Sequence, residues 1–203
     1  GGHQFGVYGD CCSGIPGARH ESTFASVNAV VSQLASQPEL VCFLGDEIRG
    51  LVADGSVLRD QWRHWFQREM AWVDRDQIPL YHATGNHTAY DAASEDVFRE
   101  VLSHLPRNGP PGQEGLSYYV RRGNLLLVFV NTMWSGLGDG RVETWWLNST
   151  LARMRMPPTS WCLGIIPRTR STASPGTTSV TSMPKPWGVL AGLGAAPGAG
   201  VRL

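Results

Sequence analysis

The chain reads Leu40-Val41-Cys42-Phe43-Leu44-Gly45-Asp46 at its clearest strand, where five apolar residues run without a break into a glycine and a carboxylate. A continuous apolar run of this length predicts a strand that is buried on both faces, as in a parallel sheet covered by helices. Two other short apolar segments end in the same way, at Gly9-Asp10 and at Gly85-Asn86-His87. The sequence therefore predicts three strands, each followed by a polar loop.

Segments with helical periodicity separate these strands. Apolar residues recur at helical spacing over Phe24–Leu34 and Leu58–Val73, and a third helix is predicted to start with Ser94 as its N-cap and to run to Leu105. Gly123-Asn124 predicts a hairpin between two strands, and Val142–Met154 a final helix. This alternation predicts an α/β fold with parallel strands, in which functional groups gather at the carboxyl ends of the strands.

Composition limits the classes of function that are possible. Of the 203 residues 42% are apolar and 17% charged, which suits one substantial domain. Lys+Arg and Asp+Glu both number 17, so we expect no specific nucleic-acid partner. No apolar run approaches the ~20 residues of a membrane span, so we expect no membrane association. The four cysteines form no C-x-x-C pair, and Gly1–Gln4 does not resemble a signal peptide, which together favour reduced thiols and a cytoplasmic location.

The composition changes near the C-terminus. From Thr144 to Leu203 the chain contains no acidic residue, and small residues with proline become dense. Residues 164–185 show no clear period, and the sequence from Val189 onward is of low complexity, which rarely forms a packed element. We therefore predict a patterned α/β domain over residues 1–156 and a low-complexity tail over residues 157–203.

The polar loops carry side chains with a common chemistry. If Asp10, Asp46, Asn86 and His87 converge at one edge of the sheet, they offer carboxylate, carboxamide and imidazole donors. Such a set suits Mn, Fe or Zn. Each aspartate alone could be a loop or helix cap, but their joint position after successive strands favours a functional site. A dinucleotide-binding domain is excluded because no Gly-x-Gly-x-x-Gly follows the first strand.

The three blocks Gly9-Asp10, Gly45–Gly50 and Gly85-Asn86-His87 resemble, in order and spacing, those of the calcineurin-like metallophosphoesterases, over about residues 5–150. The resemblance implies a sandwich of β-sheets flanked by helices, with a centre of two divalent metal ions (Mn, Fe or Zn). It implies that Asp10 binds one metal, that Asp46 bridges both, that Asn86 binds the second and that His87 acts near the leaving group. The implied reaction is hydrolysis of a phosphate mono- or diester by a metal-activated water, with a phosphorylated small molecule or a phosphodiester as substrate.

This sequence departs from the family pattern in its first block. Cys12 stands where the family has a histidine ligand, and a thiolate there could bind zinc or iron. The segment with Gly14, Pro16 and His20 resembles the purple acid phosphatase branch of the family. That branch has a tyrosine three residues after the bridging aspartate, whereas this chain has Arg49.

The distal ligands of the family are missing as well, since no histidine follows His104. With codons that end mostly in C or G, the stretch Gly164–Ser174 can be read from the third base of each codon as a segment that begins Gly-His-His-Pro, which the family would place there. We interpret the tail as frame-shifted and the fold as incomplete at its C-terminus. The alternative to an active phosphoesterase is a catalytically defective or non-catalytic member of the family.

Overall fold

The structure is a computed structural model that describes residues 4–123, 125–133, 142–154, 159–165 and 188–192. Within these ranges strands and helices alternate as the sequence predicts. The elements are β1 Gly6–Tyr8, α1 Glu21–Ser32, β2 Val41–Phe43, α2 Gly55–His64, β3 Leu80–His82, α3 Ala92–Val101, β4 Tyr118–Arg122, β5 Leu125–Phe129, α4 Thr144–Arg153, β6 Thr159–Ile165 and β7 Gly188–Gly192. The predicted α/β fold is confirmed.

The first sheet has the strand order β1-β2-β3, and all its strands are parallel. Tyr8 pairs with Phe43, and Phe43 pairs with His82, so the three strands end level with one another. The loops that follow them therefore leave the sheet at the same edge. The second sheet has the order β4-β5-β6-β7, in which β4 and β5 form the predicted antiparallel hairpin and the other pairs are parallel.

Strand β5 lies between two packed layers, and all five of its residues are buried. Its odd-numbered residues belong to the main core, together with side chains of β2, β3 and the first three helices. Leu126 and Val128 instead pack with Trp146 and Leu147 of α4. Because successive side chains of a strand point to opposite faces, β5 joins the first sheet on one side to α4 on the other. This is the sandwich of sheets and helices that the resemblance implies.

An aromatic cluster fills the main core beside the first sheet. The ring of Phe43 lies 4.6 Å from that of Tyr8, 4.9 Å from that of Trp65 and 5.3 Å from that of His82, measured between centroids. Trp62 and Trp65 are fully buried. These two tryptophans therefore belong to the core, because large aromatic rings bury much apolar area.

The predicted buried face of α1 is wrong in part. Its helical spacing predicts burial of Phe24, Val27, Val30, Val31 and Leu34, but Val30 is 67% exposed, and Val27 and Leu34 are also exposed. The helix buries Phe24 and Asn28 instead. Asn28 accepts a hydrogen bond from Tyr8 Oη (3.1 Å) and donates one to the carbonyl of Glu69 (2.9 Å). A buried amide with two partners therefore sets the rotation of α1.

Two details that the sequence predicts for the other helices are wrong. The segment predicted as one helix over Leu58–Val73 is α2 followed by a π-helix at Trp65–Glu69. The N-cap of α3 is Asp91 rather than Ser94. Ser94 lies three residues later, and its hydroxyl accepts from the Asp91 N–H while its own N–H donates to the Asp91 carboxylate, both at 2.8 Å. This reciprocal pair is a capping box in which the acidic residue holds the cap position.

In the tail, the backbone of Gly188–Gly192 forms a strand parallel to β6, in contrast to the expectation that this stretch forms no packed element. Ladder pairing needs only backbone N–H and C=O groups, which small residues also supply. The predicted tail also includes β6, and its residues 157–158, 166–187 and 193–203 lie outside the described residues. Among the helices that the structure describes, none combines the length and the apolar character needed to cross a membrane.

Candidate metal centre

Two loops at the carboxyl edge of the first sheet are joined by backbone hydrogen bonds. The N–H groups of Asp10, Cys12 and Ser13 donate to the carbonyls of residues 45, 46 and 47, at 2.9, 2.7 and 3.0 Å. Arg49 N–H donates back to the Ser13 carbonyl at 2.7 Å. The loop after β1 is therefore fixed to the loop after β2, and the candidate ligands of both loops are held together.

The three side chains that the structure brings closest are those of Cys12, Asp46 and His87. Their potential ligand atoms all lie within 4.8 Å of one another. Asp46 is 4% exposed, and its Oδ1 accepts the backbone N–H of His87 at 2.7 Å. The ring Nδ1 of His87 lies 2.5 Å from the carbonyl of Arg49. Since a carbonyl only accepts, Nδ1 carries the proton and Nε2 is the ring atom left to bind a ligand.

The other two predicted ligands occupy the margin of this group. Asp10 is exposed, and its Oδ1 lies 3.7 Å from Cys12 Sγ, which donates to it. Asn86 is half-buried between Gly85 and His87, and its amide makes no hydrogen bond within the described ranges. The assignment of Asp10 and Asn86 as ligands stays a prediction.

The backbone at this edge adopts conformations that side chains rarely accept. Asp10, Cys12 and Asp46 all have positive φ values, of 59°, 44° and 57°. Left-handed conformations at residues other than glycine cost on the order of 1–3 kcal/mol each and cluster at functional sites. Gly85 permits the closest approach, because a Cβ at that position would lie 2.1 Å from Asp46 Oδ1. The lack of a side chain at Gly85 therefore leaves the space that the carboxylate of Asp46 occupies.

Burial and like charge favour the neutral forms of two of these groups. Burial raises the pKa of Asp46 to about 6, although the hydrogen bond from the His87 N–H acts in the opposite direction. Burial, followed by the charges of Asp46 and Asp10, raises the pKa of the Cys12 thiol to about 12. A bound cation would reverse both effects, since metal ligands are held in their deprotonated forms.

The model of one family, described as calcineurin-like phosphoesterase, matches residues 3–158, which is more than half of the chain. The chain belongs to the calcineurin-like phosphoesterase family. No curated protein was found to match it. Membership identifies this protein as a relative of hydrolases that act on phosphoesters and that typically bind divalent metals.

The donors present in this calcineurin-like phosphoesterase suit a divalent cation. Carboxylate, imidazole and thiolate are the ligands that zinc and other borderline metals take in proteins. The absence of a side chain at Gly85 preserves the approach to Asp46, and the contact of Nδ1 with the Arg49 carbonyl leaves Nε2 of His87 as the second functional ring atom. The group of Cys12, Asp46 and His87 therefore fits one cation, and Asp10 and Asn86 are the nearest further donors. The sequence resemblance predicts that His87 acts near the leaving group. Its place in this group makes it a candidate ligand as well.

Sequence reasoning missed a buried pair directly behind the centre. Glu47 follows Asp46, and its Oε1 lies 2.9 Å from His82 Nδ1; both side chains are fully buried. Burial raises the pKa of Glu47 and lowers that of His82, so it favours the neutral form of each group. Within the described residues, Glu47 Oε2 and His82 Nε2 have no partner. The rings of Phe43, Trp62 and Trp65 pack against the imidazole of His82.

The pair predicts a pH-dependent loss of stability that Glu47→Gln removes. The pKa of Glu47 rises from 4.5 to about 8 on folding, so the free energy of unfolding falls as pH rises through this range. Glutamine keeps a donor toward His82 but cannot ionise. We expect the Tm of the variant to change little between pH 6 and 8 and to exceed that of the wild type at pH 8, by several degrees. The measurement is thermal unfolding of metal-free protein across this range.

Glu100→Gln is the matched control for this prediction, because Glu100 is exposed and its ion pair with Arg59 lies at the surface. The control should follow the wild-type pH profile. Parallel profiles for Glu47→Gln and the wild type would show that Glu47 is ionised in the folded protein at neutral pH.

A second group, Glu21, His64 and Glu69, lies at the base of the first loop. The carboxylate of Glu69 accepts the Ser13 hydroxyl and the Gly14 N–H (3.0 Å to Oε2). These bonds fasten the loop after β1 to the π-helix. The buried carboxylate of Glu69 therefore has a structural partner, and its role is to hold the loop that carries Asp10 and Cys12.

Proposed function

We propose that this protein is a metal-dependent phosphoesterase that hydrolyses a phosphate mono- or diester, with a phosphorylated small molecule or a phosphodiester as substrate. The observation that carries the proposal is the convergence of Cys12, Asp46 and His87 within 4.8 Å at the carboxyl edge of the parallel sheet, in a chain of this family. Oxygen, nitrogen and sulfur donors at this spacing are suited to binding a divalent cation, which favours a metal site over a purely structural role for these side chains.

In the proposed centre Asp46 would hold two divalent ions, of Mn, Fe or Zn. Asp10 and Cys12 would hold one ion and Asn86 the other, with His87 within reach of both the ions and the substrate. When bound, the metal ions would supply Lewis acidity and activate a water for attack on phosphorus. The hydrogen bond from Nδ1 to the Arg49 carbonyl fixes the ring of His87. A fixed imidazole can hold a proton at Nε2 for the leaving oxygen.

The test is hydrolysis of an aryl phosphate monoester and its diester analogue by protein first stripped of metal. We expect turnover only after Mn²⁺ or Zn²⁺ is added, together with a rise in Tm of several degrees, because a cation that binds only the folded state stabilises it. Loss of both effects on renewed chelation would complete the result. Metal-independent turnover would contradict the proposal.

The alternative is a catalytically defective or non-catalytic member of the family. The observation that favours it is the lack of any histidine after His104, so the distal histidine ligands of the family have no counterpart in this sequence. A rise in Tm with metal but no turnover of either ester would support a binding protein with one cation. Neither a rise in Tm nor turnover would support a member that has lost the centre.

A further inference from the structure

A cavity of about 440 Å³ adjoins the candidate metal centre on the side of His87. Its walls are mostly apolar and include the side chains of Ile15, Leu51, Val52, Val57, Arg49 and His87. Small-molecule sites in proteins have volumes in this range, with apolar walls and a few polar groups that fix orientation. Because His87 belongs to both the centre and the cavity wall, the two are adjacent.

The apolar wall is exposed and held in an unfavourable conformation. Leu51 has a φ of +55° and is 48% exposed, and Val57 is 40% exposed. A leucine in the left-handed region is strained, and here burial of the side chain does not offset that strain. A strained, solvent-facing leucine at the rim of a cavity is explained when the apolar surface that it presents is used by a ligand.

The loop that carries this wall is tied to the centre by close backbone contacts. Gly50 N–H donates to Gln61 Oε1 at 2.8 Å in a buried hydrogen bond. A Cβ at Gly50 would lie 1.6 Å from the carbonyl oxygen of His87, so the loop runs directly against the backbone of that residue. The position of Leu51 is therefore set by the same contacts that set the position of His87.

Arg49 gives the cavity its charge. Its side chain is exposed, and it makes no ion pair with an acid of the described ranges. A guanidinium binds phosphate oxygens through two parallel hydrogen bonds. The cavity thus pairs a cationic group near the centre with an apolar wall farther out. This arrangement is complementary to an ester that has an anionic phosphate and an apolar substituent.

We propose that the cavity binds the ester group of the substrate, and that this group is apolar, an alkyl or aryl chain rather than a sugar or a charged residue. The inference rests on the proposed phosphoesterase function and deepens it, since it names the substrate class. Arg49 orients the phosphate, and Leu51 with Val57 contacts the alkyl or aryl carbons.

The experiment uses a series of primary alkyl phosphates from ethyl to hexyl, whose leaving groups have similar basicity. Each buried methylene contributes about 0.8 kcal/mol, so kcat/KM should rise about two- to fourfold per carbon until the cavity is full. Non-hydrolysable alkylphosphonates of the same lengths should show the same trend in Kd by calorimetry with the metal-loaded protein.

Leu51→Asn tests the wall without risk to the fold, because asparagine accepts positive φ more readily than leucine. We expect an unchanged or higher Tm and a chain-length dependence in kcat/KM and Kd that is reduced to less than half. Leu34→Asn is the matched control, since Leu34 is a leucine of similar exposure outside the cavity wall. It should keep the wild-type dependence.

The outcomes separate the two proposals. Hydrolysis with equal kcat/KM along the series would overturn the apolar substrate class and leave the phosphoesterase function standing. Phosphonate affinity that rises with chain length, without hydrolysis of any ester, would support the cavity and overturn the proposed reaction. Neither hydrolysis nor phosphonate binding would overturn both.

Discussion

Asp46→Asn is expected to lower metal-dependent hydrolysis by at least about 10³-fold while making the metal-free protein more stable. Asparagine removes the charge that would hold the cations, and the loss of their Lewis acidity costs several kcal/mol of transition-state stabilisation. The fold should persist, because asparagine tolerates the φ of 57° at this position and its Oδ1 can still accept the N–H of His87.

The gain in stability follows from the burial of Asp46. Its pKa rises from 3.8 to about 6 on folding, so the ionised form destabilises the folded protein as pH rises through this window. Above pH 6 the ionised Asp46 lowers the free energy of unfolding by its full amount. This amount is about 3 kcal/mol, because each pKa unit corresponds to about 1.4 kcal/mol. We therefore expect the Tm of metal-free Asp46→Asn to exceed that of the wild type at pH 7, and the two to converge near pH 4.

Asp76→Asn is the control for this prediction, as an exposed aspartate to which no role is assigned. It should keep the wild-type turnover, Tm and response to added metal. If Asp46→Asn keeps metal-dependent turnover within tenfold of the wild type, Asp46 is not a ligand and the proposed centre is wrong.

Gly85→Ala is expected to produce the second large effect, a loss of metal affinity of about 100-fold or more. The new Cβ would lie 2.1 Å from Asp46 Oδ1 and 2.8 Å from the backbone nitrogen of Asp46, so the carboxylate and its loop must move. Overpacking of this kind typically costs 1–3 kcal/mol of stability, about the amount that a small domain tolerates. The measurements are metal Kd by calorimetry and Tm without metal.

Gly6→Ala is the control, because its Cβ would meet Val41 at 3.4 Å, an ordinary contact, and Gly6 also lies in the first sheet. Its metal affinity should equal that of the wild type. An alanine at position 85 that leaves both Kd and Tm unchanged would mean that the loop of Asp46 can shift freely, contrary to the hydrogen bonds that join it to its neighbours.

The strands, and the sheet edge where their loops meet, could be predicted from the sequence. The run over Leu40–Leu44 is a local signal, and parallel connection follows from the alternation of strands with helices. The hairpin at Gly123 was also predictable, because turn residues and flanking apolar strands lie within a few positions of one another. These features depend on neighbours along the chain.

The parts that sequence reasoning missed depend on contacts between distant segments. The pairing of Glu47 with His82 follows from the register of β2 with β3, which neither residue type announces. The rotation of α1 follows from the two partners of Asn28, a polar residue that periodicity places outside the core. The approach of His87 to Cys12 depends on three left-handed backbone positions, which aspartate and cysteine rarely adopt.

The ladder of hydrogen bonds between the loops after β1 and β2 has a consequence for how the centre would be lost. Neither loop can open without breaking bonds of the other, and Glu69 fastens the first of them to the π-helix. The two loops therefore behave as one cooperative unit of local unfolding. Donors from both loops would leave the cation in a single opening event, so heat or denaturant should abolish metal binding in one sharp step rather than ligand by ligand.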